Sequence, residues 1–234
     1  MIEVSQVQTY LIISKKNYTI YLFNKKKLKT LYFQKLDLEN EINDLDLYNL
    51  NEFLNENIFK IEKLIGQFIK NIFIFLESDD IFNINFSLKK KNYEKKLHLS
   101  NLENLLVEAK HLLQENYYNY KILHILINRY IINGTSYVNF NSDLDSDNFC
   151  LELNFKCLDE NIIMQITNIL DQYHIKIDRF LDLKYVNDLF LFKDIDPAQK
   201  YCKVLNNFNE NEVNLISKNV KKLGFFEKFF QLFS

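Results

Sequence analysis

Short runs of β-branched and aromatic residues alternate with polar residues at the start of the chain. Residues 7–13 and 18–23 are such runs, separated by the polar sequence SKKN, and this pattern predicts a β-hairpin. Residues 31–33 (LYF) are expected to continue the sheet. Apolar residues recur at helical spacing over 45–70, and residues 71–77 (NIFIFLE) predict a short buried strand. Three strands, a helix and a strand are the beginning of an α/β or α+β domain.

The next hundred residues predict helices packed on one face of a small sheet. In chain order the predicted elements are a strand at 84–91, a helix with Ser100 as N-cap and Glu103 three residues later, a strand at 120–132 that ends in the turn Asn133-Gly134, a strand at 149–158, a helix capped by Asp159, and a strand at 175–181. Helices are expected around 184–192 and 198–206, and the polar stretch 206–214 predicts a linker.

The segment 218–234 has the pattern of an amphipathic helix. One half of its helical wheel holds Leu223, Phe225, Phe226, Phe229, Phe230, Leu232 and Phe233. The cationic side chains Lys221, Lys222 and Lys228 suit anionic lipid headgroups. The segment is too short to cross a bilayer but long enough to lie in its interface. These ten residues are therefore predicted to bind a membrane. The alternatives are docking on the protein's own core or in a groove of a partner.

Composition narrows the classes of function. The chain has 234 residues, of which 47% are hydrophobic and 26% charged, and this excludes wholesale disorder. A formal net charge of −2 argues against a generally basic nucleic-acid binder, so no nucleic-acid partner is expected. The three glycines, Gly66, Gly134 and Gly224, are too far apart to form a glycine-rich phosphate loop, which excludes a conventional Rossmann or P-loop enzyme.

Cysteine, histidine and aspartate patterns predict neither a catalytic site nor a metal site. Cys150, Cys157 and Cys202 form no C-x-x-C motif and are expected to be free thiols in a reducing compartment, since no signal peptide is recognisable. The four histidines lack metal-ligand spacing, and His124 is predicted to be a satisfied core or edge residue. The acidic run Asp143, Asp145, Asp147 resembles a calcium loop but has Asn148 and Asn154 where glycine and glutamate are needed, so a solvated loop is expected.

Four sequence segments carry a family resemblance. They are LHLSNLENLLVEAK (97–110), ILHILINRYIING (122–134), CLELNFKCLD (150–159) and ENIIMQITNILDQYHIKIDRFLD (160–182). Their order and spacing resemble the SHS2-type subdomain of the bacterial cell-division protein FtsA. Residues 1–77 are similar to the N-terminal actin-like subdomain of that family, and IDPAQKYCKVL (195–205) is similar to a segment near its C-terminal end. The family also finishes with a linker and a membrane-targeting amphipathic helix.

The resemblance implies an α+β fold with a partial actin-like (ribonuclease H-like) subdomain. The expected organisation is an actin-like remnant at 1–80, an SHS2-type subdomain at 81–183, a return segment at 184–205, a linker at 206–217 and a membrane-binding helix at 218–234. Typical family members are longer, with two further subdomains. The first phosphate loop should fall at 7–17, which contains neither glycine nor aspartate, so no ATP or other cofactor is expected.

The function implied is a non-catalytic adaptor in divisome and septum assembly. The resemblance places it peripherally on the cytoplasmic side of the inner membrane, at mid-cell. Its expected partners are anionic lipid, divisome proteins such as FtsN or FtsZ, and further copies of itself. One alternative is a soluble or PilM-like pilus-assembly scaffold whose C-terminal helix docks on protein. Another is an enzyme that retains actin-like ATPase activity.

Overall fold

A computed structural model describes residues 6–39, 46–91, 96–140, 145–191 and 193–213. The chain divides into two units. The first combines Met1–Ile81 with Leu158–Phe208, and the second combines Phe82–Cys157 with Asn209–Ser234. Residues 82–157 of the second unit are therefore inserted into the sequence of the first, and the second unit is completed by the residues after Phe208.

Strands and helices alternate irregularly along the chain, as in mixed α+β proteins. The strands are β1 (Val7–Ile13), β2 (Asn17–Asn24), β3 (Lys29–Asp37), β4 (Asn71–Leu76), β5 (Phe82–Lys91), β6 (Tyr120–Ile132), β7 (Thr135–Tyr137), β8 (Asn148–Asp159), β9 (Lys176–Asp182) and β10 (Glu212–Val213). The helices are α1 (Leu47–Ile65), α2 (Leu99–Asn116), α3 (Glu160–Asp171), α4 (Leu183–Asp188) and α5 (Pro197–Leu205).

The first unit is built on a five-stranded sheet in the order β3-β2-β1-β4-β9. β1 pairs parallel with β4, and β4 pairs parallel with β9, whereas β2 is antiparallel to both β1 and β3. β1 and β2 are buried over most of their length, which explains their nearly continuous apolar sequences. β3 is the edge strand and is mostly exposed. The predicted hairpin, third strand, first helix and following strand are all confirmed.

Helix α1 begins and ends at residues suited to those positions. The side chain of Asp46 accepts a hydrogen bond from the backbone N–H of Asn49 at 3.0 Å, which satisfies one of the free amides at the helix start. Gly66 ends the helix in the left-handed conformation, with φ of 75°, and its N–H donates to the carbonyl of Glu62. At the neighbouring helix α3, Asp159 is the N-cap, as predicted.

The second unit is a sheet in the order β10-β6-β8-β5, with β7 paired to the end of β6. Its core joins one face of α2, including Leu106 and Leu113, to buried residues of the sheet, including Leu151 and Phe155. The turn between β6 and β7 is formed by Asn133-Gly134, both with positive φ, as the sequence predicts.

The structure corrects three of the sequence expectations. The strand β9 was assigned to the subdomain at 81–183, but it pairs with β4 in the first unit, and α3 belongs to that unit too. The linker expected at 206–217 contains β10, which is buried and paired with β6. Helix α2 begins one residue before Ser100: its N-cap is His98, whose backbone N–H donates to the side chain of Asn101 at 2.7 Å.

Candidate functional site

All ten side chains predicted to bind a membrane belong to 214–234 and lie outside the described residues. These are Leu223, Phe225, Phe226, Phe229, Phe230, Leu232, Phe233, Lys221, Lys222 and Lys228. Within the ranges that the structure describes, no helix is both long and apolar enough to cross a bilayer. The candidate sites whose side chains are described therefore lie on the two units.

A cleft of the first unit lies at the carboxyl ends of its parallel strands. Ser14, Glu77 and Leu183 each directly follow one of these strands, β1, β4 and β9, and all three line the cleft. Its volume is about 620 Å³. Open α/β sheets bind ligands at this edge, so this cleft is where a nucleotide would be held in an actin-like protein.

The turn between β1 and β2 uses its own amide groups. The Oγ of Ser14 accepts hydrogen bonds from the N–H groups of Lys16 and Asn17, at 3.3 and 3.0 Å, and donates to the carbonyl of Asn17 at 3.0 Å. Phosphate-binding loops instead direct free N–H groups at the ligand. Two amides of this turn are therefore already engaged where a phosphate would need them.

Lysines line the cleft, and two of them face acids. Lys15 forms an ion pair with Asp79, in the loop after β4, and Lys35 pairs with Asp37 on β3. These acids offset part of the positive charge that would attract a phosphate. The groups present at the cleft therefore do not fit ATP well.

Aromatic side chains form one wall of the same cleft. The ring centroids of Tyr21 and Phe33 are 5.0 Å apart, and those of Tyr21 and Tyr201 are 6.0 Å apart. Burial, helped by the charge of Asp196, raises the pKa of Tyr21 to about 12. Burial also raises the pKa of Tyr201 above its ordinary range. Both phenols therefore stay neutral at physiological pH, and this wall is a packing surface rather than a source of acid–base groups.

Asp182 is an acid at the edge of the cleft, and it has a structural role. It ends β9 opposite Leu76 and is 3% exposed. Its carboxylate accepts a hydrogen bond from the N–H of Lys184 at 2.9 Å and so caps α4. In the portion of the chain that is described, no group of three or more histidine, cysteine or acidic side chains is arranged to hold a metal ion.

The described part of the acidic run, 145–147, is held by the side chain of Asn133. The Oδ1 of Asn133 accepts hydrogen bonds from the N–H groups of Asp147 and Asn148, and its Nδ2 donates to the carbonyl of Asp145. Asp143 lies outside the described residues. The contacts of Asn133 are with backbone groups, so they tie this loop to the end of β6.

The second unit contains a buried histidine–glutamate pair that the sequence does not predict. Nδ1 of His124, on β6, lies 2.7 Å from Oε1 of Glu212, on β10, and the two side chains are 0% and 3% exposed. His124 is thus a satisfied core residue, as predicted. Its partner was missed because Glu212 lies 88 residues later, in a stretch whose polar composition predicts a linker.

No protein-family model matches the chain, and no curated protein matches it in sequence. Solved structures do match. A PilM–PilN type IV pilus biogenesis complex matches with a TM-score of 0.50 and 10% identity, over 78% of this chain and 49% of that one. Part of the chain therefore has an actin-like fold. The predicted α+β class with a partial actin-like subdomain is thereby confirmed.

Two other solved structures match more weakly. The cytoplasmic domain of EpsL, an inner-membrane component of the type II secretion system of Vibrio cholerae, matches with a TM-score of 0.38 and 9% identity over 75% of this chain. A Bacteroides thetaiotaomicron protein with an actin-like ATPase fold matches with a TM-score of 0.38 and 13% identity over 82%. The chain spans only 57% and 59% of these two proteins, and about half of the pilus protein.

Proposed function

We propose that this chain is a non-catalytic adaptor that assembles protein partners at the cytoplasmic face of the inner membrane. The observation that carries the proposal is the fold likeness to a PilM–PilN type IV pilus biogenesis complex. In that structure the matching fold belongs to a protein–protein assembly. Because the chain spans about half of that protein's length, the assignment rests on the fold and on the groups at the cleft.

The non-catalytic part of the proposal is supported by the cleft of the first unit. The amides of Lys16 and Asn17 donate to Ser14, and Lys15 is paired with Asp79. A nucleotide would have to displace these contacts without gaining a glycine-rich loop. We therefore expect no binding of ATP. Equilibrium dialysis of the full chain with radiolabelled ATP and Mg²⁺ tests this, and saturable binding at micromolar ATP would contradict it.

Membrane attachment is assigned to the segment 218–234 on its sequence pattern. Five phenylalanines enter the interface and the lysines meet anionic headgroups in this proposal. The test is co-sedimentation of the full chain with phosphatidylglycerol-containing vesicles, compared with the variant Phe229→Glu. Loss of sedimentation in the variant supports the assignment. Equal sedimentation of both proteins would show that this segment is not the anchor.

Two finer forms of the proposal are supported by different observations. A division adaptor, working with FtsN or FtsZ, is supported by the resemblance of residues 97–183 to FtsA. A pilus-assembly scaffold is supported by the likeness to the PilM–PilN structure. In both forms the exposed edge strand β3 offers backbone groups to a second copy or a partner.

The two forms predict different places and phenotypes in the cell. A division adaptor concentrates in a band at mid-cell, and its depletion gives filaments. A pilus scaffold leaves division intact, and its depletion removes surface pili. A fluorescent fusion expressed from the native locus, combined with a depletion strain, separates the two forms. Normal division and normal piliation after depletion would exclude both.

A further inference from the structure

The end of helix α1 carries the two most exposed phenylalanines among the described residues. Phe59, on the second-to-last turn of the helix, is 70% exposed, and Phe68, in the loop that follows, is 79% exposed. Leu64 lies between them in sequence and is 45% exposed. Large apolar side chains left this far in water at one end of a helix indicate an interaction surface.

The loop after α1 is anchored on both sides of Phe68. Before it, the N–H of Gly66 donates to the carbonyl of Glu62 at 2.8 Å. After it, Ile69 is buried, and its N–H donates to the side-chain oxygen Oε1 of Glu62 at 3.0 Å. With Gly66 and Ile69 held in this way, the backbone directs Phe68 away from the core. The exposure of Phe68 is thus a consequence of an ordered loop.

Lysines lie close to these apolar side chains in the sequence and on β9, which pairs with the strand after the loop. Lys60 and Lys63 lie on the last two turns of α1, and Lys70 ends the loop. Lys176 begins the neighbouring strand β9, where its N–H donates to the carbonyl of Lys70 at 2.9 Å. No ion pair of these four lysines occurs within the described ranges.

Three acids lie in the same region. Glu56 is exposed on α1, one turn before Lys60. Glu62 accepts the N–H of Ile69, and Asp178 forms a hydrogen bond with Asn71. Four lysines against these three acids leave a net positive charge on this surface. We call it the basic aromatic patch, and define it as Phe59, Leu64 and Phe68 with Lys60, Lys63, Lys70 and Lys176.

We propose that the basic aromatic patch binds the surface of an anionic lipid bilayer, as a second membrane contact in addition to the segment 218–234. The inference goes beyond the proposed function, since it adds an attachment site on the folded unit. The apolar side chains are highly exposed and protruding, and a fluid interface accepts protruding aromatic rings without a matching groove. Lysine ammonium groups attract anionic headgroups without needing a fixed geometry.

Two contacts on one chain act together. When one contact holds the protein at the membrane, the other binds at a high effective concentration, and the pair gives tighter attachment than either alone. The patch should therefore contribute both in the intact protein and in a protein whose C-terminal segment is weakened. The contribution of its lysines to membrane binding should fall as the salt concentration rises, because exposed charges are screened over about 10 Å at 0.1 M ionic strength.

The test uses full-length variants and vesicles of phosphatidylcholine with phosphatidylglycerol, against vesicles of phosphatidylcholine alone. The patch variants are Phe59→Glu with Phe68→Glu, and Lys60→Gln with Lys63→Gln. The matched control is Tyr48→Glu: Tyr48 is 71% exposed at the other end of α1, where its hydroxyl donates to Glu52. Each substitution is made in the wild-type chain and in the Phe229→Glu chain, and thermal melting checks that each variant is folded.

We expect both patch variants to bind anionic vesicles more weakly than the control. Removing two lysines should weaken binding about 5- to 30-fold at low salt, and the phenylalanine variant should weaken it by at least about tenfold. If the patch variants bind as Tyr48→Glu does in both chains, the inference is wrong. If Phe229→Glu binds normally but the patch variants do not, the patch stands and the anchor assigned to 218–234 fails.

Discussion

Replacing Glu212 with alanine tests whether the pair with His124 fixes β10 to the second unit. The two side chains are almost completely buried, with 2.7 Å between Nδ1 and Oε1. Removing Glu212 leaves the ring nitrogen of His124 buried without its partner, and breaking a buried histidine–carboxylate pair costs about 3–5 kcal/mol. Glu212→Ala should therefore lower the free energy of unfolding of the second unit by this amount.

A matched control lies in the same sheet. Arg129, on β6, pairs with Glu152, on β8, at 2.8 Å, but these side chains are 58% and 27% exposed. Because solvent screens exposed pairs, Glu152→Ala should cost less than about 1 kcal/mol. The two substitutions are chemically the same and differ in burial, so their difference measures the effect of burying the pair.

Urea unfolding followed by far-ultraviolet circular dichroism is the suitable assay, because the chain has no tryptophan. Unfolding of a chain with two units can occur in two steps, and the step that belongs to the second unit is the one to compare. A third variant, His124→Leu with Glu212→Leu, should recover most of the lost stability, since it removes both polar groups of the pair together. If Glu212→Ala and Glu152→Ala differ by less than about 1 kcal/mol, the buried pair does not hold β10 as described.

Three further predictions concern tyrosine, cysteine and glycine positions. Burial raises the pKa values of Tyr21 and Tyr130 to about 12, whereas an unfolded chain loses these protons near pH 10. The free energy of unfolding should therefore fall as pH rises from about 10 to 12. Denaturation midpoints measured across that range check this prediction. Burial also raises the pKa of Cys157 to about 12. A thiol reagent at pH 8 should therefore modify half-buried Cys150 much faster than Cys157. Mass spectrometry of labelled peptides measures the order, and faster labelling of Cys157 would contradict the prediction. Gly66→Ala should destabilise the first unit by about 1 kcal/mol because Gly66 has a φ of 75°, although the space around it is open; urea midpoints equal to the wild type would contradict this.

The sequence predicts which residues form strands and helices better than it predicts which strands lie side by side. Period-two and helical patterns are local, so they locate β1, β2, α1 and β8 correctly. They do not identify which strand lies beside which, and β9 was therefore assigned to the wrong sheet. β10 was missed for a related reason: a two-residue strand has no periodicity, and only its pairing with β6 shows that it is a strand.

The sequence likewise predicts some features of the candidate site and not others. The lack of glycine and aspartate in the turn after β1 is visible in the sequence, and it predicts a poor phosphate loop. The hydrogen bonds that Ser14 forms with the amides of Lys16 and Asn17 appear only in three dimensions. Likewise, Phe68 follows a helical apolar pattern and was predicted to belong to α1, whereas the left-handed Gly66 ends the helix and exposes it.

The insertion of one unit into the other determines when each can finish folding during synthesis. β9, which completes the first sheet beside β4, is made only after the whole of 82–157 has been synthesised. Folding of those residues brings their two ends together and shortens the loop that β9 must close. The second sheet in turn waits for β10, which covers one edge of β6. A ribosome that stalls before residue 212 would therefore hold a chain with β6 as an open strand edge, which is a surface prone to aggregation.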